Sequence, residues 1–173
     1  VIPAPTRAET ERLLREAAHN CLAAGLTGVH EMGTSVETID LYREMYDRGE
    51  LPIRLTLYVE GSEPALDSVL AAGQLRGYAG GMLEVVGVKF YSDGSLGARS
   101  AALLDDYADD PGNRGILVTD PDTLEARLAA CHRAGFQTAV HAIGDRANRL
   151  VLDCWERILA GDPASGRRHR IEH

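Results

Sequence analysis

The chain has 173 residues, 45% of them hydrophobic and 25% charged, and a net charge of −8. Such usage is that of an ordinary globular domain with a sizeable core and excludes a disordered chain. The negative balance argues against nucleic acid as a partner, because tracking phosphates relies on Lys and Arg.

No apolar run approaches the roughly 20 residues of a membrane span, and the opening VIPAPTRAE lacks the apolar core of a signal peptide. Cys21, Cys131 and Cys154 form an odd set without CxxC spacing, which suits reduced thiols in a cytoplasmic protein.

In chain order, Thr6 and Glu9 form a T-x-x-E capping box that predicts a helix carrying Leu13, Leu14, Ala17, Ala18, Cys21 and Leu22 up to Gly25. The strand LTGVH follows. Thr34 and Glu37 repeat the capping pattern before a second helix with Ile39, Leu41, Tyr42 and Met45, and RLTLYV at 54–59 reads as the next strand. Ser62 is expected to cap a short helix through Leu66, Val69 and Leu70. A Gly-rich stretch around 77–81 then leads into LEVVGVKFY. Residues 92–119 form a long connection with several turn signals, and loops of that length are usually functional. Thr119, Asp120 and Pro121 begin another helix, and QTAVH, a helix over 145–160 and HRIEH complete the chain.

Strand ends therefore recur near residues 30, 59, 91, 141 and 173, close to the roughly thirty-residue length of a βαβ unit. The alternation predicts an α/β fold with a parallel sheet. Residues two apart on a strand share a face, which groups Gly87, Lys89 and Tyr91 against Val86, Val88 and Phe90. The same rule groups Arg54, Thr56 and Tyr58; Gln137, Ala139 and His141; and His169, Ile171 and His173. Polar groups on the face away from the helices favour a barrel interior, since a sheet covered by helices on both sides is apolar on both.

His141 and His173 would then close neighbouring strands and aim at one point, as metal ligands or as hydrogen-bonded rim histidines. Lys89, flanked by Val88 and Phe90, must be paired, neutralised or chemically used. A neutral amine there admits carboxylation or a Schiff base with a carbonyl substrate, while an ion pair with Asp93 is the bland alternative. His30 stands at a strand end by itself. Tyr91 shares the face of Lys89, and Asp93, Ser95 and Arg99 follow it on the long loop, within reach of a substrate. Asp145 is expected to cap its helix, Glu172 to face away from the pocket, and His19 and His132 to lie on the surface. The acidic run Asp105, Asp106, Asp109 and Asp110 lacks EF-hand spacing and reads as a solvated loop.

GVKFYSDGSLGARSAAL, DDYADDPGNRG, HAIGDRAN, RIEH and the earlier AGLTGVHEMG, in that order, resemble the amidohydrolase superfamily, and within it amidohydrolase family 3 with its N-substituted formamide deformylase-like members. The resemblance implies a partial (β/α)8 TIM-type barrel in which residues 1–173 supply strands two to six, with strand one and strands seven and eight outside. It further implies a hydrolase of non-peptide C–N bonds acting on a small amide, formamide or cyclic amide. A divalent metal such as zinc would be held by His141, His173 and Lys89, the lysine optionally carboxylated. His30, Tyr91, Asp93 and Arg99 fall to substrate binding. The strand-one H-x-H pair and the strand-eight Asp of this superfamily are expected beyond the two ends, so the segment alone is expected to be inactive. A Schiff-base lyase using Lys89 and a non-catalytic remnant are the other readings, and open barrel edges allow association into a homo-oligomer.

Overall fold

The computed structural model describes residues 3–62, 64–163 and 166–173; Val1 and Ile2, on which part of the targeting argument rests, lie outside them. Helices and strands alternate in the predicted order. They are α1 (Arg7–Ala23), β1 (Gly28–Thr34), α2 (Val36–Asp47), β2 (Arg54–Glu60), α3 (Leu66–Ala72), β3 (Leu75–Tyr78), β4 (Leu83–Tyr91), α4 (Pro121–Arg133), β5 (Gln137–His141), α5 (Asp145–Ala160) and β6 (Arg170–Glu172).

Capping chemistry sets most helix starts. The Thr6–Glu9 box forms in full on α1, and Asp120 accepts from Thr123 N at the start of α4 with Pro121 in the first turn. Three expected caps move. Thr34 ends β1 as a buried residue, so its neighbour Ser35 caps α2 by accepting from Thr38 N. Ser62 turns back on Glu60 instead, and α3 starts after Ala65 without a side-chain cap. Asp145 likewise cedes the cap of α5 to Gly144 and accepts from Leu104 N on the long loop.

The parallel strands are ordered β1-β2-β4-β5-β6, and β3 pairs antiparallel with β4. β3 lies in the stretch read from sequence as a Gly-rich connection. A flat sheet would hold β1 and β6 roughly 19 Å apart, four inter-strand spacings. Yet Arg170 Nη1 on β6 lies 2.8 Å from His30 Nδ1 on β1. The sheet is therefore curled into a half-barrel, the partial TIM-type architecture expected from the sequence.

Two cores follow. The convex face packs Leu55, Leu57, Val59, Val85, Val88, Phe90 and Val140 against helical residues such as Met45, Leu124, Leu128 and Val151. The concave face holds a smaller group, Tyr58, Val86 and Ala139 with Met32. Val86 was expected on the helical side. It sits inside because β4 carries a β-bulge: Leu57 pairs with Val85, and the next residue, Tyr58, pairs with Gly87. Leu83 and Val85 face the helices before the bulge, and Val88 and Phe90 do so after it. Without the extra residue, strand parity would turn Lys89 outward. Gly87 is needed there, because a Cβ would lie 2.2 Å from the Tyr58 ring.

β6 also departs from the expected parity. Its register aligns Val140 with Ile171 and His141 with Glu172, so Ile171 joins the helical core and Glu172 faces the interior, where it pairs with Arg170 at 2.7 Å. His169, expected inside, belongs to a polar cluster behind the sheet that also buries His132, which was expected at the surface. Trp155 Nε1 donates to Thr138 Oγ1 at 3.2 Å, and Thr138 N donates to His169 Nδ1 at 3.0 Å. Nδ1 is thus an acceptor, and the ring's Nε2–H is directed at His132 Nδ1, 3.1 Å away. Asp162 Oδ2 lies 3.3 Å from His132 Nε2.

Burial, reinforced by His132 and Arg167, pushes His169 down to about 4. An unfolded histidine titrates near 6.5, so the unfolded chain binds the proton first as acid is added. The contribution of a neutral His169 is full above about pH 6.5 and is lost as pH falls toward 4. The difference in Tm between the protein and its His169→Gln variant should shrink between pH 7 and 4.5; parallel curves would contradict the assignment.

Candidate active site

The strand ends gather the site. Lys89 is buried on β4, in register with Glu60 of β2, and its Nζ donates to Phe90 O at 3.1 Å and lies 3.8 Å from the centroid of the Tyr91 ring. No carboxylate of the described residues lies within ion-pair distance of it, so the pairing with Asp93 does not form. Burial lowers the Lys89 ammonium from its ordinary value, against the opposing fields of Glu60 and Glu172. The amine is thereby brought nearer to the neutral, nucleophilic form.

Tyr91 connects this lysine to the histidines. Its ring centroid is 5.7 Å from that of His141, which is 4.9 Å from that of His173. His173 reaches His141 from the outward parity of β6 through a left-handed backbone, φ 74°. His141 Nε2 lies 3.0 Å from Gly94 O. A carbonyl only accepts, so Nε2 carries the hydrogen and Nδ1 keeps the lone pair. A backbone carbonyl fixing the tautomer in this way is the usual support of a metal-binding histidine.

Asp93, expected at the substrate, is buried and otherwise engaged. Its Oδ2 accepts from Ala102 N and Gly144 N, both at 2.8 Å, and its Oδ1 accepts from Ile143 N at 3.0 Å and lies 3.5 Å from His141 Nε2. One carboxylate thus ties the start of the 92–119 loop, its middle and the β5–α5 turn together beside His141. Ser92 extends the β4–β5 pairing, donating from both N and Oγ to His141 O at 2.9 and 2.6 Å. Glycine is obligatory at 144, where a Cβ would lie 1.8 Å from Ala102 O.

The remaining expected residues divide. Tyr91 stands at the site. Arg99 is exposed on the loop and held by Asp109 at 2.9 Å; in the acidic run Asp106 likewise pairs with Arg114, and Asp110 accepts a hydrogen bond from the Asn113 amide. His30 lies in mid-strand, because β1 continues to Thr34, and it pairs in register with Thr56 toward the opposite end of the half-barrel from His141. Two interior carboxylates were missed. Glu60 continues the inward series Arg54, Thr56, Tyr58 by one step beyond where RLTLYV was ended, and Glu172 was assigned the wrong face of β6.

The fit to a metal is partial. Two adjacent imidazoles, one with its tautomer fixed, are of the type that ligates a divalent ion, whereas the lysine would need to be carboxylated to do so. Among the described residues no group of three or more His, Cys, Asp and Glu side chains is placed to hold one. No helix among them is long and apolar enough to cross a membrane.

This half-barrel is similar in sequence and in fold to known proteins. Residues 1–173 match the model of the amidohydrolase family. The "Putative amidohydrolase YtcJ" of Bacillus subtilis is 31% identical over 177 residues, covering 99% of this chain and 32% of that protein. Protein LONG AFTER FAR-RED 3 of Arabidopsis thaliana is 46% identical over 87 residues, 50% of this chain and 15% of its own. Crystal structures of two uncharacterized metal-dependent hydrolases, from Pyrococcus furiosus and Pyrococcus horikoshii, superpose with TM-scores of 0.83 and 0.84 at 29% and 31% identity, covering 98% of this chain and 34% and 33% of theirs. The chain belongs to the amidohydrolase family. It spans about a third or less of the length of these relatives.

Asp93→Ala should remove three charge-assisted bonds and strand buried N–H groups, costing about 3 kcal/mol or more. Denaturant unfolding would measure this, and hydrogen exchange should localise the loss of protection to residues 92–119 and the β5–α5 turn. Unchanged protection there would contradict the role given to Asp93.

Proposed function

We propose that the protein of which this chain forms part is a metal-dependent hydrolase of non-peptide C–N bonds, acting on a small amide, formamide or cyclic amide. The observation that carries the reading is the buried Lys89, without an ion-pair partner among the described residues and facing the same interior as two adjacent histidines. Family membership and the hydrolase neighbours in both comparisons support it.

His141, through Nδ1, and His173 are the residues that would hold the metal, most simply zinc, with Lys89 as a third ligand if its amine is carboxylated. When bound, such an ion supplies Lewis acidity toward a carbonyl oxygen and acidifies water. The chain's own residues do the positioning. Gly94 O fixes the His141 ring, Asp93 holds the loop that carries Gly94, and Tyr91 roofs Lys89 and keeps water from its amine. Lys89 depends on that exclusion, because only the neutral amine adds to carbon dioxide. Substrate would enter over Tyr91, at the C-terminal ends of the strands where barrel enzymes place their chemistry. Arg99 and the loop tip form the outer wall. The segment by itself, with two histidines and a lysine, is expected to turn over no amide.

In the full-length protein, His141→Ala and His173→Ala should each lower bound metal and reduce amide hydrolysis at least a hundredfold, with metal content read by elemental analysis. Full metal content in both variants would reject the ligand assignment. Lys89→Met should retain the fold and lose activity, whereas borohydride trapping with a carbonyl compound should leave wild-type Lys89 unlabelled. Labelling would instead favour a Schiff-base lyase.

A further inference from the structure

Beside the strand ends, between the segment that follows β2 and the start of α4, lies a cavity of about 460 Å³ whose walls include Glu60, Leu66, Phe90, Tyr91, Leu124 and Arg127. Its size is that of a small-molecule pocket. Tyr91 is its shared wall with the proposed site, since the same ring covers Lys89 and neighbours His141.

An inventory of its polar groups shows which partner it lacks. Arg127 is paired with Asp67 at 2.7 Å. Thr119 Oγ1 donates to Tyr91 O at 2.6 Å, Thr123 Oγ1 to Asp120 Oδ1 at 3.1 Å, and Ser62 Oγ to Glu60 Oε1 at 3.3 Å. Apart from the Tyr91 hydroxyl, the side-chain donors of the lining are thus largely committed, whereas Glu60 Oε2 has no cation or hydrogen-bond donor among the described residues. A carboxylate accepts only, and each oxygen has two lone pairs to satisfy.

Gly33 explains how that oxygen comes to be presented. It is the extra residue of a bulge in β1, with φ 101°, and a Cβ there would lie 3.0 Å from Glu60 Oε2 and 3.7 Å from Tyr91 Oη. The missing side chain leaves a space bordered by the carboxylate oxygen and the phenol, which make no hydrogen bond to each other. Leu66, Phe90 and Leu124 supply apolar lining to the cavity.

We propose that this cavity is a specificity pocket for a substituent of the substrate that carries a protonated amine on an apolar stem, with Glu60 as the carboxylate that selects it. The proposal rests on the proposed function for the word substrate, but the binding preference does not require turnover. A neutral or anionic group would leave Glu60 desolvated without a partner, which is the basis of the discrimination. Pairing of Glu60 with Lys89 is the competing use, and it would need the two to close to ion-pair distance.

The test is calorimetric titration of the full-length, metal-loaded protein at pH 7 with benzylammonium chloride and with its neutral isostere benzyl alcohol. Wild type should bind the ammonium at least tenfold tighter. Glu60→Gln should reduce that preference to less than about twofold with metal content unchanged, and Glu60→Asp, which keeps the charge, should retain part of it. Equal affinity for the two probes in wild type, or a preference undiminished in Glu60→Gln, overturns the proposal; the wild-type comparison decides against it even if the glutamine variant does not fold. Cation preference that tracks Glu60 in a protein hydrolysing no amide would uphold the pocket and reject the proposed function.

Discussion

The β-bulge at Val86–Gly87 is the constraint on which the site depends. Strand parity is a two-residue alternation, so one inserted residue exchanges the faces of everything that follows. Before it, β4 shows Leu83 and Val85 to the helices; after it, Val88 and Phe90 take over that role and Lys89 is delivered to the interior. The bulge needs Gly87 because the Tyr58 ring occupies the place of a side chain. Tyr58 in turn bonds Gln137 of β5, so the ring that demands the glycine also ties the strands on either side of β4.

With its direction set, the lysine's environment sets its chemistry. Desolvation disfavours the ammonium, and the carboxylates of Glu60 and Glu172 oppose this from across the half-barrel. Neither closes an ion pair, which would hold the group charged and inert. The carbonyl of Phe90 and the Tyr91 ring favour the ammonium, so the lowering comes from burial alone. The polar interior is consequently a balance of fields, unlike the convex core, where burial of aliphatic side chains dominates.

Much of this was legible in the chain. Helix and strand positions came from capping residues and alternation, and the bounds of β4, β5 and α5 follow directly from LEVVGVKFY, QTAVH and the run after Asp145. The inward faces of β2 and β5 were also readable, because polar and apolar residues alternate cleanly there. β4 was readable for a partly mistaken reason: the grouping of Val86 with Val88 ignored a bulge that no local signal except Gly87 announces. β6 misled because HRIEH offers histidines at one parity and charged residues at the other, and either set is plausible inside a barrel. Only its register with β5 decides. The bonds of Asp93 are not legible in the sequence, since its partners, Ala102, Ile143 and Gly144, contribute backbone N–H groups, which leave no trace in residue identity. His30 and Glu60 depended on where β1 and β2 stop, the least constrained feature of a strand.

The carbonyl of Gly94 that orients His141 belongs to a loop with almost no regular structure, and this makes the loop's folding part of the ligand's chemistry. An imidazole released from that carbonyl is free to rotate and to exchange tautomers, so one nitrogen no longer waits in a single place for an ion. With His141 as the metal ligand proposed above, damage far out on residues 92–119 would register first as weakened metal retention in a protein whose sheet remained intact. The segment from Ser92 to Gly94 and the Ala101–Ala102 turn are tied to the strand ends, whereas the tip between Asp105 and Arg114 bonds mainly within the loop. One loop thus joins a part that serves the histidine and a part that serves only itself.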